Sequence, residues 1–335
     1  MTQKTLSEIP YLDILKRAFQ LAWKNKFLWI LGIFVALIHS DSISYYSDFS
    51  GSGKDPLKDI DPSQITAFWE AHWQVILTVA GIVILLCIIL GILATIARGG
   101  LIHSISKLEK NEVSNWKDGV RAGKKYFGKI LGMNLLIFFS VLVILIVISL
   151  PSAYCFLTDK PVAGALTAIP ALIIFLLIAI ISGYLRIFGQ IYIATSEIGI
   201  LPALDNAYKL FRKNFWASIV MSLFFIPLGL AFGIAVLLIL LALAIIFLIP
   251  GIPLWLIFKE TGITIGLVVA IPVAFAVLTL FSAIYKVFEQ AVWFLFFKEI
   301  ATEKSEEVLE EIKEEEAVIL PKSEPASPIT PSEIE

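Results

Sequence analysis

Of 335 residues, 58% are hydrophobic and only 16% are charged, whereas a soluble domain carries about a quarter charged residues. One water-soluble core cannot bury that excess, so lipid is the expected solvent for much of the surface. The net charge of −2 argues against a nucleic-acid binder, and two cysteines, Cys87 and Cys155, give neither a disulfide framework nor a metal-ligand spacing.

The first predicted element is a basic amphipathic helix over 10–24, with Pro10 suited to a first helical position. Lys24 and Lys26 then precede an apolar run, Phe27 to His39, that has the length of the apolar core of a signal peptide. A helix-like segment comes before it and no small-residue cleavage site follows, so the run is read as an uncleaved span.

A helix needs about 20 apolar residues to cross the hydrocarbon core. Stretches without Asp, Glu, Lys or Arg occur at 27–40, 71–97, 130–158, 161–185, 214–258 and 261–285. They predict spans over 24–40, 73–97, 130–151, 163–185, 216–249 and 263–285. The first is short and recruits Leu21 to Trp23. The fifth holds one long span or two short ones. One is preferred, with Pro227 as a kink and an exit turn at Pro250-Gly251-Ile252-Pro253.

Loop charge sets the orientation, since Lys and Arg collect on the cytoplasmic side. Of the 26 lysines and arginines, all but Lys54, Lys58, Lys160 and Lys259 fall on the face shared by both termini. Both termini are therefore expected in the cytoplasm. The first outer loop, 41–70, is acidic, and Trp69 and Trp73 suit its membrane boundary.

Three approaches to the membrane read alike: AFQLAWKNKF (18–27), GVRAGKKYFG (119–128) and AYKLFRKNFW (207–216). A gapless shift of 88 residues aligns 98–138 with 186–226, matching Arg98 with Arg186, Glu109 with Glu197, and Lys125 with Lys213. A shift of 100 matches Gln190 with Gln290 and sets Arg186 against Lys286. Basic and aromatic flanks also recur at any cytoplasmic boundary, which is the alternative account. The repeat is preferred because the offset covers a loop as well as a flank.

The expected fold is an all-α integral membrane protein of about six transmembrane helices. They form three pseudo-repeated two-span units over residues 1–300, each preceded by a basic amphipathic interfacial helix (10–24, 115–128 and 202–215). One face of the second such helix carries Trp116, Val120, Gly123 and Phe127, and one face of the third carries Leu204, Tyr208, Phe211 and Phe215. Such helices either lie in the headgroup plane or dock on the spans as elbows. In the first case Lys24, Lys26, Arg121, Lys124, Lys125, Lys209, Arg212 and Lys213 contact anionic lipid.

Residues 301–335 form an acidic, largely disordered cytoplasmic tail. Its first part, with Glu303, Glu306, Glu307, Glu310 and Glu311, is able to extend span six as a solvated helix. After Pro321 the composition cannot bury enough to fold. The tail is a binding segment for a basic protein partner or simply a solvated terminus.

No catalytic motif is present: there is no HExxH, GxSxG, Walker lysine loop or GxGxxG. His39, His72 and His103 are far apart in sequence, and no metal or cofactor is expected. One polar set stands out at the cytoplasmic ends of the spans: Arg98, Arg186, Lys286, Gln190, Gln290 and Glu289. It is a cluster gathered by pseudo-symmetry, or a set of boundary anchors and interhelical bonds.

The segments RGGLIHSISKLEKNEVSNWKDGVRAGKKYF and LPALDNAYKLFRKNFWASIV resemble the bacterial and archaeal multi-span family typified by the membrane domain of glycerophosphoryl diester phosphodiesterases, and related uncharacterised membrane families. In the phosphodiesterases the chemistry belongs to an attached soluble barrel of around 250 residues, for which this chain has no room. The resemblance implies a membrane module without its enzyme and carries over no catalytic residue. The expected role is a non-enzymatic multi-pass protein of a prokaryotic cell membrane, organising lipid or partner proteins at the cytoplasmic face. The alternative is a small-solute or lipid transporter working at the repeat interface.

Overall fold

In lipid no water is present to satisfy free backbone groups, so apolar runs of this length are stable only as helices or closed barrels. Helices are what the chain forms. The computed structural model describes residues 9–38, 62–158 and 160–319. Within them eight helices follow one another: α1 (Tyr11–Lys24), α2 (Phe27–Ile38), α3 (Pro62–Glu109), α4 (Trp116–Leu157), α5 (Pro161–Ser196), α6 (Ile200–Lys213), α7 (Phe215–Phe258) and α8 (Glu260–Ile319). Five of them, α3, α4, α5, α7 and α8, are long and apolar enough to cross a membrane.

Three boundaries differ from the sequence expectation. The 24–40 segment is divided, because Asn25 ends α1 and a new helix starts at Phe27. The 12 residues of α2 rise about 18 Å, against a hydrocarbon core of about 30 Å. Beyond Ile38, His39 and Ser40 lie outside the described residues. Second, α7 runs through Pro250 and Pro253 to Phe258, and the reversal falls at Lys259, whose φ is 51°. An open turn in an apolar stretch frees more backbone groups than two prolines inside a helix do. Third, the 115–128 segment is no separate element: α4 is continuous from Trp116 into its span.

The core sits at one end of the molecule. It is built from α1 (Tyr11, Ile14, Ala18, Ala22), the lower turns of α2 to α5, α6, the foot of α7 and, above all, residues 287–300 of α8. From Ala291 to Phe297 every residue of α8 is buried. A helix apolar on all sides has to be enclosed on all sides, and α1, α2, α3, α5 and α7 all pack on α8. The three long helices α3, α5 and α8 also touch one another. Away from this base the picture inverts. No residue of 73–93 in α3 or of 266–282 in α8 is buried, and Ile82, Leu85, Val268 and Ile271 are more than half exposed. Apolar surface on that scale is not kept in water.

The crossing of α3 and α4 is the closest in the base. Gly100 faces Gly119, and Gly123 lies against the Ile96 backbone. A β-carbon added at Gly119 would come within 2.8 Å of Leu31 Cδ1 and 3.0 Å of Ser104 Oγ. Small residues let two backbones approach where lipid supplies no hydrophobic drive.

Candidate functional site: the basic base

Two corners of the base are built alike. The Asn25 side-chain amide donates to the Leu21 carbonyl oxygen (2.9 Å), and that of Asn214 donates to Leu210 (3.3 Å). Each backbone N–H bonds the same carbonyl, and each asparagine's own carbonyl accepts the first bond of the next helix, from Leu28 and from Ser218 at 2.9 Å. Asn is suited to helix C-termini because it satisfies orphan carbonyls locally. Tyr126 stands 88 residues before Asn214, at the position aligned with it in sequence, and there α4 runs on unbroken.

These corners decide what the amphipathic faces do. In α1 the buried residues are Tyr11, Ile14, Ala18 and Ala22, and in α6 they are Ala203, Ala207, Leu210 and Phe211. In α4, Gly119, Ala122, Gly123 and Tyr126 are buried. The apolar faces are thus docked: α1 on α8, the start of α4 on α3, and α6 on α5. Of the face expected on the third helix, Phe211 is buried, while Tyr208 and Phe215 are exposed. The eight basic residues expected to meet anionic lipid, Lys24, Lys26, Arg121, Lys124, Lys125, Lys209, Arg212 and Lys213, are all exposed. Exposed aromatics accompany them: Phe19, Trp23, Trp116, Tyr208 and Trp216.

Two carboxylates tie the base together. Glu109, its side chain 3% exposed, accepts from Arg17 of α1 at 2.7 Å and Lys298 of α8 at 3.0 Å. Its aligned partner Glu197, in a left-handed conformation at the end of α5, accepts from Lys125 Nζ (2.6 Å) and Tyr126 OH (2.9 Å), while Lys129 donates to its backbone carbonyl. The bond from Lys125 first, and then that from Tyr126, hold the Glu197 carboxyl below the usual carboxylate range. Glu109 was not singled out in the sequence, although the 88-residue match already paired it with Glu197.

The expected polar set divides into separate contacts. Lys286 pairs with Glu289 at 2.9 Å on its own helix. Gln190, 3% exposed, donates to Asn134 Oδ1 of α4 at 3.1 Å. Arg98, Arg186 and Gln290 are half-buried, and Arg186 Nε is buried without a hydrogen-bond partner among the described residues. A further polar contact was missed: the Tyr184 hydroxyl donates to the Ser218 carbonyl oxygen at 3.0 Å and meets the Ser222 hydroxyl, joining α5 to α7. Its only sequence signal was a hydroxyl placed late in an apolar run. Among the described residues no group of three or more His, Cys, Asp or Glu side chains is arranged to hold a metal. His39 lies outside them, and His72 is exposed.

A packed base and five long apolar helices bare to their surroundings define a class: an all-helical, membrane-type protein. Within it, the chain belongs to DUF7544, a family of unknown function whose model matches residues 22–300. No curated protein and no solved structure matches the chain.

Proposed function

We propose that this protein is a non-enzymatic, multi-pass module of a prokaryotic cell membrane that gathers anionic lipid at its cytoplasmic face, with both termini on that side. One observation carries the reading. Each basic segment docks through part of its apolar face, and all eight basic side chains remain exposed on the rim beside exposed aromatics. Lys and Arg near a leaflet of anionic lipid gain about 1 kcal/mol each, and Trp and Tyr favour headgroup depth.

The reading includes a three-unit organisation. Its support is the pair of asparagine corners, the pairing of Glu109 and Glu197 with their own units' basic segments, and the docking order. Each basic segment leans on the outbound helix of the preceding unit: α4 on α3, α6 on α5, and α1 on α8, which closes a ring. The resemblance to the phosphodiesterase membrane domain fits a module of this kind. A transporter is the second reading, favoured by the Gln190–Asn134 pair between two long apolar helices.

The test is thermal unfolding in nanodiscs of phosphatidylcholine with and without phosphatidylglycerol. The expected result is a higher melting temperature with phosphatidylglycerol, erased near 1 M salt, where the Debye length is about 3 Å. Replacing Lys24, Lys26, Arg121, Lys124, Arg212 and Lys213 by Gln should abolish the rise. Indifference of the wild-type protein to phosphatidylglycerol would overturn the reading.

A further inference from the structure

Above the base, a cleft of about 430 Å³ opens between α5 and α7. That volume lies within the range of about 300–1,000 Å³ typical of small-molecule sites. Its walls are apolar and include Gly183, Ile187 and Ile226, and Trp293 of α8 also lines it. Tyr184 and Ser222 also line it, and their hydroxyls meet across it. A β-carbon added at Gly183 would find no atom within 4 Å, so this glycine borders empty space. Both walls belong to helices long and apolar enough to cross a membrane. In a bilayer, a cleft between two such helices would meet acyl chains.

Its surroundings are polarised along the helix axis. Arg186 lies between Gly183 and Ile187 in sequence, is half-buried, and leaves its buried Nε without an acceptor. Arg212 and Lys213, both exposed, end α6 at the foot of α7. In the opposite direction α5 and α7 carry no charged side chain up to Lys160 and Lys259. An amphiphile with an anionic head and an apolar tail has the same polarity. A half-buried guanidinium at the edge of hydrocarbon is stabilised by an anion.

We propose that the cleft is a defined lipid site. It takes one acyl chain of an anionic phospholipid from the adjoining leaflet, and the phosphate oxygens accept from the Arg186 guanidinium. The proposal rests on the reading of the base as an anionic-lipid surface and adds to it a single site of fixed stoichiometry.

The test is native mass spectrometry of the full chain, purified in mild detergent and offered equal amounts of phosphatidylglycerol and phosphatidylcholine. The wild-type protein should retain one phosphatidylglycerol in preference to phosphatidylcholine by about tenfold or more, the size of a single hydrogen bond to a charged group. Gly183→Leu fills the cleft and should lose that lipid with no fall in melting temperature. Arg186→Gln should keep a lipid but lose the headgroup preference. Equal retention by the wild-type protein and Gly183→Leu would overturn the proposal, as would equal retention of the two lipids by the wild-type protein. A wild-type dimer that Gly183→Leu abolishes would overturn it too, since a second copy would then fill the cleft. If phosphatidylglycerol still stabilises the protein in nanodiscs while Gly183→Leu changes no lipid retention, the cleft assignment falls and the surface reading stands. If neither experiment responds to phosphatidylglycerol, both fall.

Discussion

Asn25 and Asn214 end two helices in the same way, each donating its side-chain amide to the carbonyl oxygen four residues earlier. Between them, at the aligned position, Tyr126 lets the helix continue. Replacing Asn214 by Ala removes the side-chain bond and favours a straight helix. The expected cost is about 0.5–1.5 kcal/mol, the net worth of one hydrogen bond, read as a lower unfolding midpoint in detergent. A midpoint unchanged from wild type would mean that the corner is set by packing alone.

The α3–α4 crossing should tolerate no side chain. Gly119→Val and Gly123→Leu both push β-carbons into neighbouring atoms, and overpacking of this kind costs about 1–3 kcal/mol or prevents folding. Gly233→Ala is the contrast, because nothing lies within 4 Å of its added carbon. There the gain in helix propensity should stabilise by about 0.5–1 kcal/mol. Thermal melts of the three variants, in one detergent, decide the point.

Glu109 holds α1 and α8 to the end of α3. Its carboxylate is almost fully enclosed, while Arg17 and Lys298 are 61% and 52% exposed. Glu109→Gln should therefore cost about 1–3 kcal/mol, the penalty for weakening a buried charge-assisted bond. Arg17→Met or Lys298→Met alone should cost less, because the remaining cation still pairs and solvent screens both partners. A double-mutant cycle between Arg17 and Lys298 measures how far they share the one acceptor.

Glu197 gives the base a dependence on acid. Its carboxyl lies below the usual range because the folded state donates bonds to the charged form. A depressed carboxylate stabilises the fold above its unfolded pKa, and that contribution disappears as pH falls through the lower folded value. Wild-type stability should therefore drop on the acid side more than that of Glu197→Gln. The effect is small, since both Glu197 and Lys125 are more than half exposed. Parallel acid limbs in the two proteins would contradict the assignment.

Much of this architecture was legible in the sequence because lipid imposes a simple rule on composition. Charge-free runs of span length became the five long helices. What escaped was set by shorter signals. The Asn25 break lies between two lysines, where a single capping amide outweighs hydropathy. The seven residues AVWFLFF (291–297) are too short for a span and too uniform for an amphipathic helix, yet they form the pillar of the base. A continuous apolar run bounded by Glu289 and Lys298 was the available sign. Glu109 looked like one more loop charge, since its burial depends on Arg17 and Lys298, which are distant in sequence. The docking of the amphipathic faces was one of two readings left open, and Ala18, Gly119 and Ala207 were the small residues that allow it.

The functional account stands on the base facing the cytoplasm. Single cysteines placed at Lys117 and Arg212 near the base, and at Lys160 and Lys259 at the other end, in a background with Cys87 and Cys155 changed to Ala, test this with a membrane-impermeant maleimide. In intact cells the account predicts labelling at positions 160 and 259 and none at 117 and 212 until the membrane is opened. Labelling of 117 and 212 from outside would contradict it, because the basic rim would then face the wrong leaflet.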